Sequence, residues 1–353
     1  MSVLITGVTS LIALVFAIGL VDQWRVRRQA FQLCWAVGML FFGIASGCEA
    51  VAAASSWNEL LYRTWYLTGA VWTAGWLGLG TAFLLGRTRF GYAFAFCLFL
   101  AGLFTFLTQQ RYNYEGAGSS PILYFIAAGA LALAVAVATY FSDNRWPRIA
   151  ALAVVGASLL SIGLMLTTTL AAPGWKVDPV TNSPVADLFP GTLRLLTPFL
   201  NITGGMSLAF GAVFSAYVFM PKRRILDYSL DPTQPGDQFL FNLAISPVAI
   251  IVNFIASLPG AVRALLAGRL HSRVPATILI AIGAFMASSG DVLERFGVTW
   301  FFYLGKLLAV IFLFVGFLVS VEAFSEVRVP FTRVVLLRRH TEPAQAGEPH
   351  QGT

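Results

Sequence analysis

The chain has 353 residues, 58% of them hydrophobic and only 11% charged, whereas an ordinary soluble domain carries about 25% charged residues; most of its surface must therefore face lipid. The net charge of +7 is spread as twos and threes between apolar runs, the pattern of loop charges that orient a membrane protein, so nucleic acid is excluded as a partner. Cys34, Cys48 and Cys97 lie in apolar runs without CxxC spacing, and His271, His340 and His350 lie outside them. A haem between two intramembrane histidines is thereby excluded, a zinc site is disfavoured, and no cofactor is expected.

In chain order, the first apolar run spans residues 3–21, with no basic residue before it and Arg25, Arg27 and Arg28 after it. This is the reverse of a cleavable signal peptide and predicts an uncleaved helix with its N-terminus outside. Further runs long enough to cross a bilayer follow at 31–53, 62–86, 90–109, 121–141, 149–171, 193–220, 275–290 and 298–323. An additional apolar element at 239–259 is interrupted by Pro247. If it does not cross, 17 of the 23 Lys and Arg fall in inner loops and 5 in outer ones, with Lys306 inside a helix. If it crosses, the split becomes 11 to 11. The positive-inside rule favours the first arrangement. The expectation is an all-α polytopic transmembrane helix bundle, about nine spans plus one re-entrant or interfacial element, with ten spans as the alternative. Pro247 predicts that this element breaks into two short helical pieces.

Residues 1–341 form a single membrane domain on this reading, and 342–353, with no apolar residue larger than alanine, a disordered cytoplasmic tail. The loop at 172–191, with Pro173, Trp175, Pro179, Pro184 and Pro190, is either a lid over the outer face or a plain surface loop. Small residues at i and i+4 predict packing faces at Gly43 and Gly47, Gly205 and Ala209, and Gly211 and Ser215.

Trp65, Trp72 and Trp76, at spacings of seven and four, are placed on one helical stripe. Either it is core or lipid contact, or its deeper rings stack on a flat lipophilic ligand. Ionisable groups at membrane depth are costly and mark pairing or function. Lys306 lies roughly 6 Å outward of its span's midpoint at 1.5 Å per residue. Glu49, Asp291 and Asn201 with Thr203 fall at similar depth, and Tyr303 is one turn from Lys306. Two readings of this outer polar layer stand: a pocket in which Lys306 attracts an anion or exchanges a proton with Glu49 or Asp291, and an ion pair that ties helices together. A retinal Schiff base on Lys306 lacks a carboxylate counter-ion in the third span.

The stretches WNELLYRTWYLTGAVWTAGWLGLGTAFLL (57–85), NITGGMSLAFGAVFSAYVF (201–219) and ERFG (294–297) resemble segments of uncharacterised multi-pass bacterial membrane proteins, over about half the chain. The resemblance implies a bacterial cytoplasmic (inner) membrane and carries no activity or residue role. With no HExxH, paired aspartate box or GxSxG, an enzyme is not expected. The expected function is binding or transport of a small or lipophilic solute. The alternative is a non-catalytic subunit or sensor of a larger membrane complex, with lipids and other membrane subunits as partners.

Overall fold

Lipid offers a backbone no hydrogen-bond partner, so each long apolar run must close its own ladder and form a helix. The computed structural model describes residues 2–141, 145–170, 188–231, 233–271, 273–295, 301–320, 326–328, 330–332 and 334–338, with backbone alone for 288–295. Its helices are α1 (Ser2–Arg27), α2 (Ala30–Ala54), α3 (Glu59–Trp65), α4 (Thr73–Leu84), α5 (Gly91–Tyr112), α6 (Ser120–Tyr140), α7 (Trp146–Thr167), α8 (Gly191–Phe219), α9 (Gly236–Leu266), α10 (Arg273–Arg295) and α11 (Phe301–Val319). A π-helical segment, Tyr66–Trp72, joins α3 to α4 within the third span. All nine expected crossings are helical, and the membrane bundle is as the sequence predicts. Of the proline-rich loop at 172–191, residues 172–187 lie outside the described residues, as does the tail at 342–353. The end of the bundle that carries Arg25, Arg27 and Arg28 is termed inner, and the opposite end outer.

Local chemistry sets the helix ends. Asn58 caps α3 by accepting the Leu61 N–H at 3.0 Å, and Pro121 and Pro147 open α6 and α7, where a missing N–H costs nothing. Two arginines close C-termini whose carbonyls have no helical donor. Arg63 donates to the carbonyls of Met165 (2.6 Å) and Thr168 (2.7 Å) at the outer end of α7. Arg89 donates to those of Thr139 and Tyr140 at the inner end of α6.

The element at 239–259 departs from expectation. It is one helix, α9, continuous through Pro247 and Pro259. Pro247 deprives the Leu243 carbonyl of its helical donor, and the Ser246 hydroxyl supplies one at 3.0 Å, which removes much of the reason to break. Nor does α9 cross the bundle. The inner end of α8 and the start of α10 touch directly, with Arg273 over the Phe219 ring at 4.4 Å and His271 against it at 4.9 Å, so the chain between them leaves from and returns to one side. Along that side Phe239 meets Tyr92 and Tyr140, at the inner ends of α5 and α6, while Ala261 packs with Met220 and Val274. At 1.5 Å per residue α9 is about 46 Å long, and it lies across the inner end with Leu240, Phe241, Val248, Ile251 and Ile255 exposed. That outward apolar face is the signature of an interfacial helix.

Close backbone approach holds the bundle. A Cβ on Gly78 would lie 2.4 Å from the Gly204 Cα, and one on Gly204 2.0 Å from the Ala74 carbonyl oxygen, so α4 and α8 cross at backbone contact. Gly43 and Gly47 face Leu14 and Ser10 of α1 as expected, and Gly211 faces Thr81. A Cβ on Gly205 would meet nothing within 4 Å among the described residues. Of the expected Gly205–Ala209 face only Ala209 packs, against the core around Phe16, and the contact with α4 is carried by Gly204 and Gly211, two turns apart on one side of α8.

Two cores result. One joins the third span with α5 to α8 around Tyr62, Phe94, Trp146 and Leu193; the other joins α1, α2, α10 and α11 around Phe16, Trp35 and Phe317. An antiparallel pair of strands, β1 (Glu326–Arg328) and β2 (Val335–Arg338), is the one non-helical pairing among the described residues. Its turn reaches the inner end of α1, where the Phe331 N–H donates to Asp22 at 3.0 Å.

Candidate functional site

A carboxylate and an ammonium at membrane depth stay charged only if each is given a partner. In the outer half of the bundle Glu49, near the end of α2, meets Lys306, in the second turn of α11. The Lys306 ammonium donates to Glu49 Oε1 at 2.6 Å, and the Trp65 indole N–H donates to the same oxygen at 2.9 Å. The Glu49 side chain is 3% exposed and that of Lys306 21%. The ammonium also lies 3.8 Å from the centre of the Phe302 ring and 6.0 Å from that of Tyr303, so two ring faces replace part of its water. Glu49 Oε2 is buried with no hydrogen-bond partner among the described residues.

Of the residues that depth singles out, the structure therefore brings Glu49, Lys306 and Tyr303 together and adds Trp65. Asn201, half-buried on α8, makes no hydrogen bond to the pair among the described residues. Thr203, two residues deeper, is buried with its hydroxyl unpartnered among the described residues. The Asp291 backbone belongs to α10, but its side chain lies outside the described residues.

The tryptophans divide between two jobs. Trp72 donates to Ser161 at 2.8 Å and Trp76 to Ser158 at 3.3 Å, both on α7, with Phe41 against the two rings, whereas Trp65 turns to Glu49. The π segment between them is the cause, since its bonds close on i+5 and rotate Trp65 away from the register of an unbroken α-helix. Thr73 stabilises the wide turn by donating its hydroxyl to the Thr68 carbonyl, five residues back, at 2.7 Å. Gly69 allows it to lie against Ala45, where a Cβ would come within 2.8 Å. Sequence reasoning missed this segment; a glycine between two threonines is the faint mark it leaves.

Two cavities lie away from the pair. At the outer end one of about 220 Å³ is bordered by Tyr112, Tyr114, Glu115, Phe189 and Arg194. Phe189 plugs the gap beneath it by stacking between Tyr62 and Tyr66 at 4.9 and 4.2 Å. At the inner end a cavity of about 320 Å³ opens between α8 and the segment after it.

Comparison of the chain with protein-family models, with curated proteins and with solved structures gives no match.

Proposed function

We propose that this membrane protein binds or transports a small solute at the outer polar layer, with Glu49 as the accepting group. One observation carries the reading. Glu49 Oε2 is buried and unpartnered among the described residues, and a buried acceptor without a donor is costly enough to call for a ligand, water or proton at that position. The chemistry that would satisfy it is a hydrogen-bond donor, neutral or cationic, small enough to reach a carboxylate already shared by Lys306 and Trp65. The distribution of basic residues supports an N-terminus outside and a C-terminus inside, and the resemblance to bacterial membrane proteins supports a bacterial cytoplasmic membrane. The test is thermal unfolding in mild detergent with a panel of primary amines, amino alcohols and sugars. A probe that raises the wild-type midpoint should lose its effect in Glu49→Gln and Lys306→Met. An effect undiminished in folded variants would reject Glu49 as the acceptor.

A second reading is favoured by the pairing itself. Glu49 and Lys306 cancel one another's charge, so the contact is equally suited to pin α2 to α11 in a non-catalytic subunit or sensor of a larger assembly. Partner chains that remain bound through purification, with no response to any probe, would select it.

A further inference from the structure

After α8 the chain leaves the bundle at Met220 and runs along the inner face as a strap without helix or strand, residues 221–230, bent at 225–226. Side chains of α9 fasten one edge of it. Ser257 accepts the Arg223 N–H at 2.9 Å. The fully buried Asn253 accepts the Ile225 and Leu226 N–H groups through Oδ1 at 2.7 and 3.0 Å and donates to the Leu226 carbonyl at 2.7 Å. With one edge fixed, Lys222, Arg224, Leu226, Tyr228 and Leu230 all line the 320 Å³ cavity against α8.

The lining is amphipathic in an ordered way. Neither Lys222 nor Arg224 has a carboxylate within 4 Å among the described residues, so two cations converge on one space without neutralisation. Ser229 adds a hydroxyl and Tyr228 a phenol, whose acidity burial weakens, so that it stays a neutral donor. The opposite wall is Phe214 and Val218. With Phe210, one turn further along α8 and 42% exposed, they make an apolar track at spacings of four that leads from the cavity toward the lipid-facing side of the helix. The volume lies in the range of small-ligand sites, about 300 to 1,000 Å³.

We propose that this cavity binds the headgroup of an anionic phospholipid, its phosphate between Lys222 and Arg224 and an acyl chain along Val218, Phe214 and Phe210. Paired cations with hydroxyl donors recognise a phosphate, and the apolar track distinguishes a lipid from a free anion. The interfacial helix α9 serves this site, because Asn253 and Ser257 hold the strap in the register that sets both exposed cations at the rim of the cavity.

The test is a lipid titration of the detergent-purified full chain read by native mass spectrometry, with phosphatidylglycerol against phosphatidylcholine. Phosphatidylglycerol should bind tighter by about thirty-fold, the change that two basic contacts with an anionic lipid carry. Lys222→Gln with Arg224→Gln should remove that preference. Arg263→Gln with Arg269→Gln, the same loss of charge at the same end of the bundle, should retain it. Equal loss in both variants, or no preference in the wild type, overturns the proposal. Displacement of the lipid by excess inorganic phosphate, with phosphate bound alone, identifies a free anion as the occupant and overturns it too. If the double variant does not fold, Tyr228→Phe carries the test: a several-fold weaker phosphatidylglycerol affinity supports the site, and an unchanged one rejects it.

Discussion

Among the described residues Glu49 receives two donors on one oxygen and none on the other, while the Lys306 ammonium rests on two aromatic rings. Removal of one member of such a pair leaves a buried charge uncompensated, at a cost of about 3 to 5 kcal/mol, whereas removal of both is far less costly. Glu49→Leu and Lys306→Met are therefore each expected to be strongly destabilising, and the double variant to recover most of the loss. Unfolding titrations of all four proteins measure the coupling, and additive losses would show that the contact contributes nothing. The two residues are legible in the sequence because a charge in an apolar run draws notice wherever it stands. Their third partner is not, since Trp65 reaches Glu49 through a π turn, whose cost and register depend on how Gly69 meets Ala45 of another helix.

The helices themselves follow from hydropathy, because lipid leaves an apolar run no other way to satisfy its backbone. What hydropathy leaves open is which side of each helix meets which neighbour. Gly204 and Gly205 are adjacent in sequence and equal in composition, yet only Gly204 lies against the backbone of α4. Gly204→Ala should destabilise by about 1 to 3 kcal/mol through overpacking, while Gly205→Ala should stay within about 0.5 kcal/mol; equal unfolding midpoints would reject this assignment of the contact. The same gap explains α9. A proline in mid-run argues for a broken helix, but Ser246 supplies the donor that Pro247 withdraws from Leu243, and the sequence pattern does not reveal a hydroxyl used in this way. Asn253 was likewise silent, one polar residue in an apolar run, although it makes three hydrogen bonds to the strap. Asn253→Ala should free residues 221–230, so that trypsin cuts at Lys222, Arg223 or Arg224 in the variant and spares the folded wild type. Equal cleavage of the two would show that Asn253 does not hold the strap.

At the scale of the whole molecule, the number of crossings depends on one element, and two independent arguments agree about it. The first is the charge distribution, in which 17 basic residues gather at one end and 5 at the other only if α9 stays on its own side. The second is contact: Phe219 touches Arg273 and His271 across the interval that holds α9, and the two halves of α9 rest on the inner ends of four different helices. Length and hydropathy alone would allow α9 to span and would pass over the described apolar part of α10, so charge and contact decide the count. An interfacial helix has one apolar side and one polar side, and Ser246, Asn253 and Ser257 all turn inward to the protein while the branched aliphatic residues face out. The expected topology can be read with single cysteines, because Cys34, Cys48 and Cys97 are all buried and give little background with an impermeant thiol reagent. Arg87→Cys, between α4 and α5, and Ala267→Cys, at the end of α9, should be protected together in sealed right-side-out membranes and react once the membranes are opened. Ser56→Cys and Ser119→Cys, at the outer end, should react at once. If Ala267→Cys instead labels with the outer pair, α9 crosses, α10 and α11 invert with the strand pair behind them, and the bundle has ten spans.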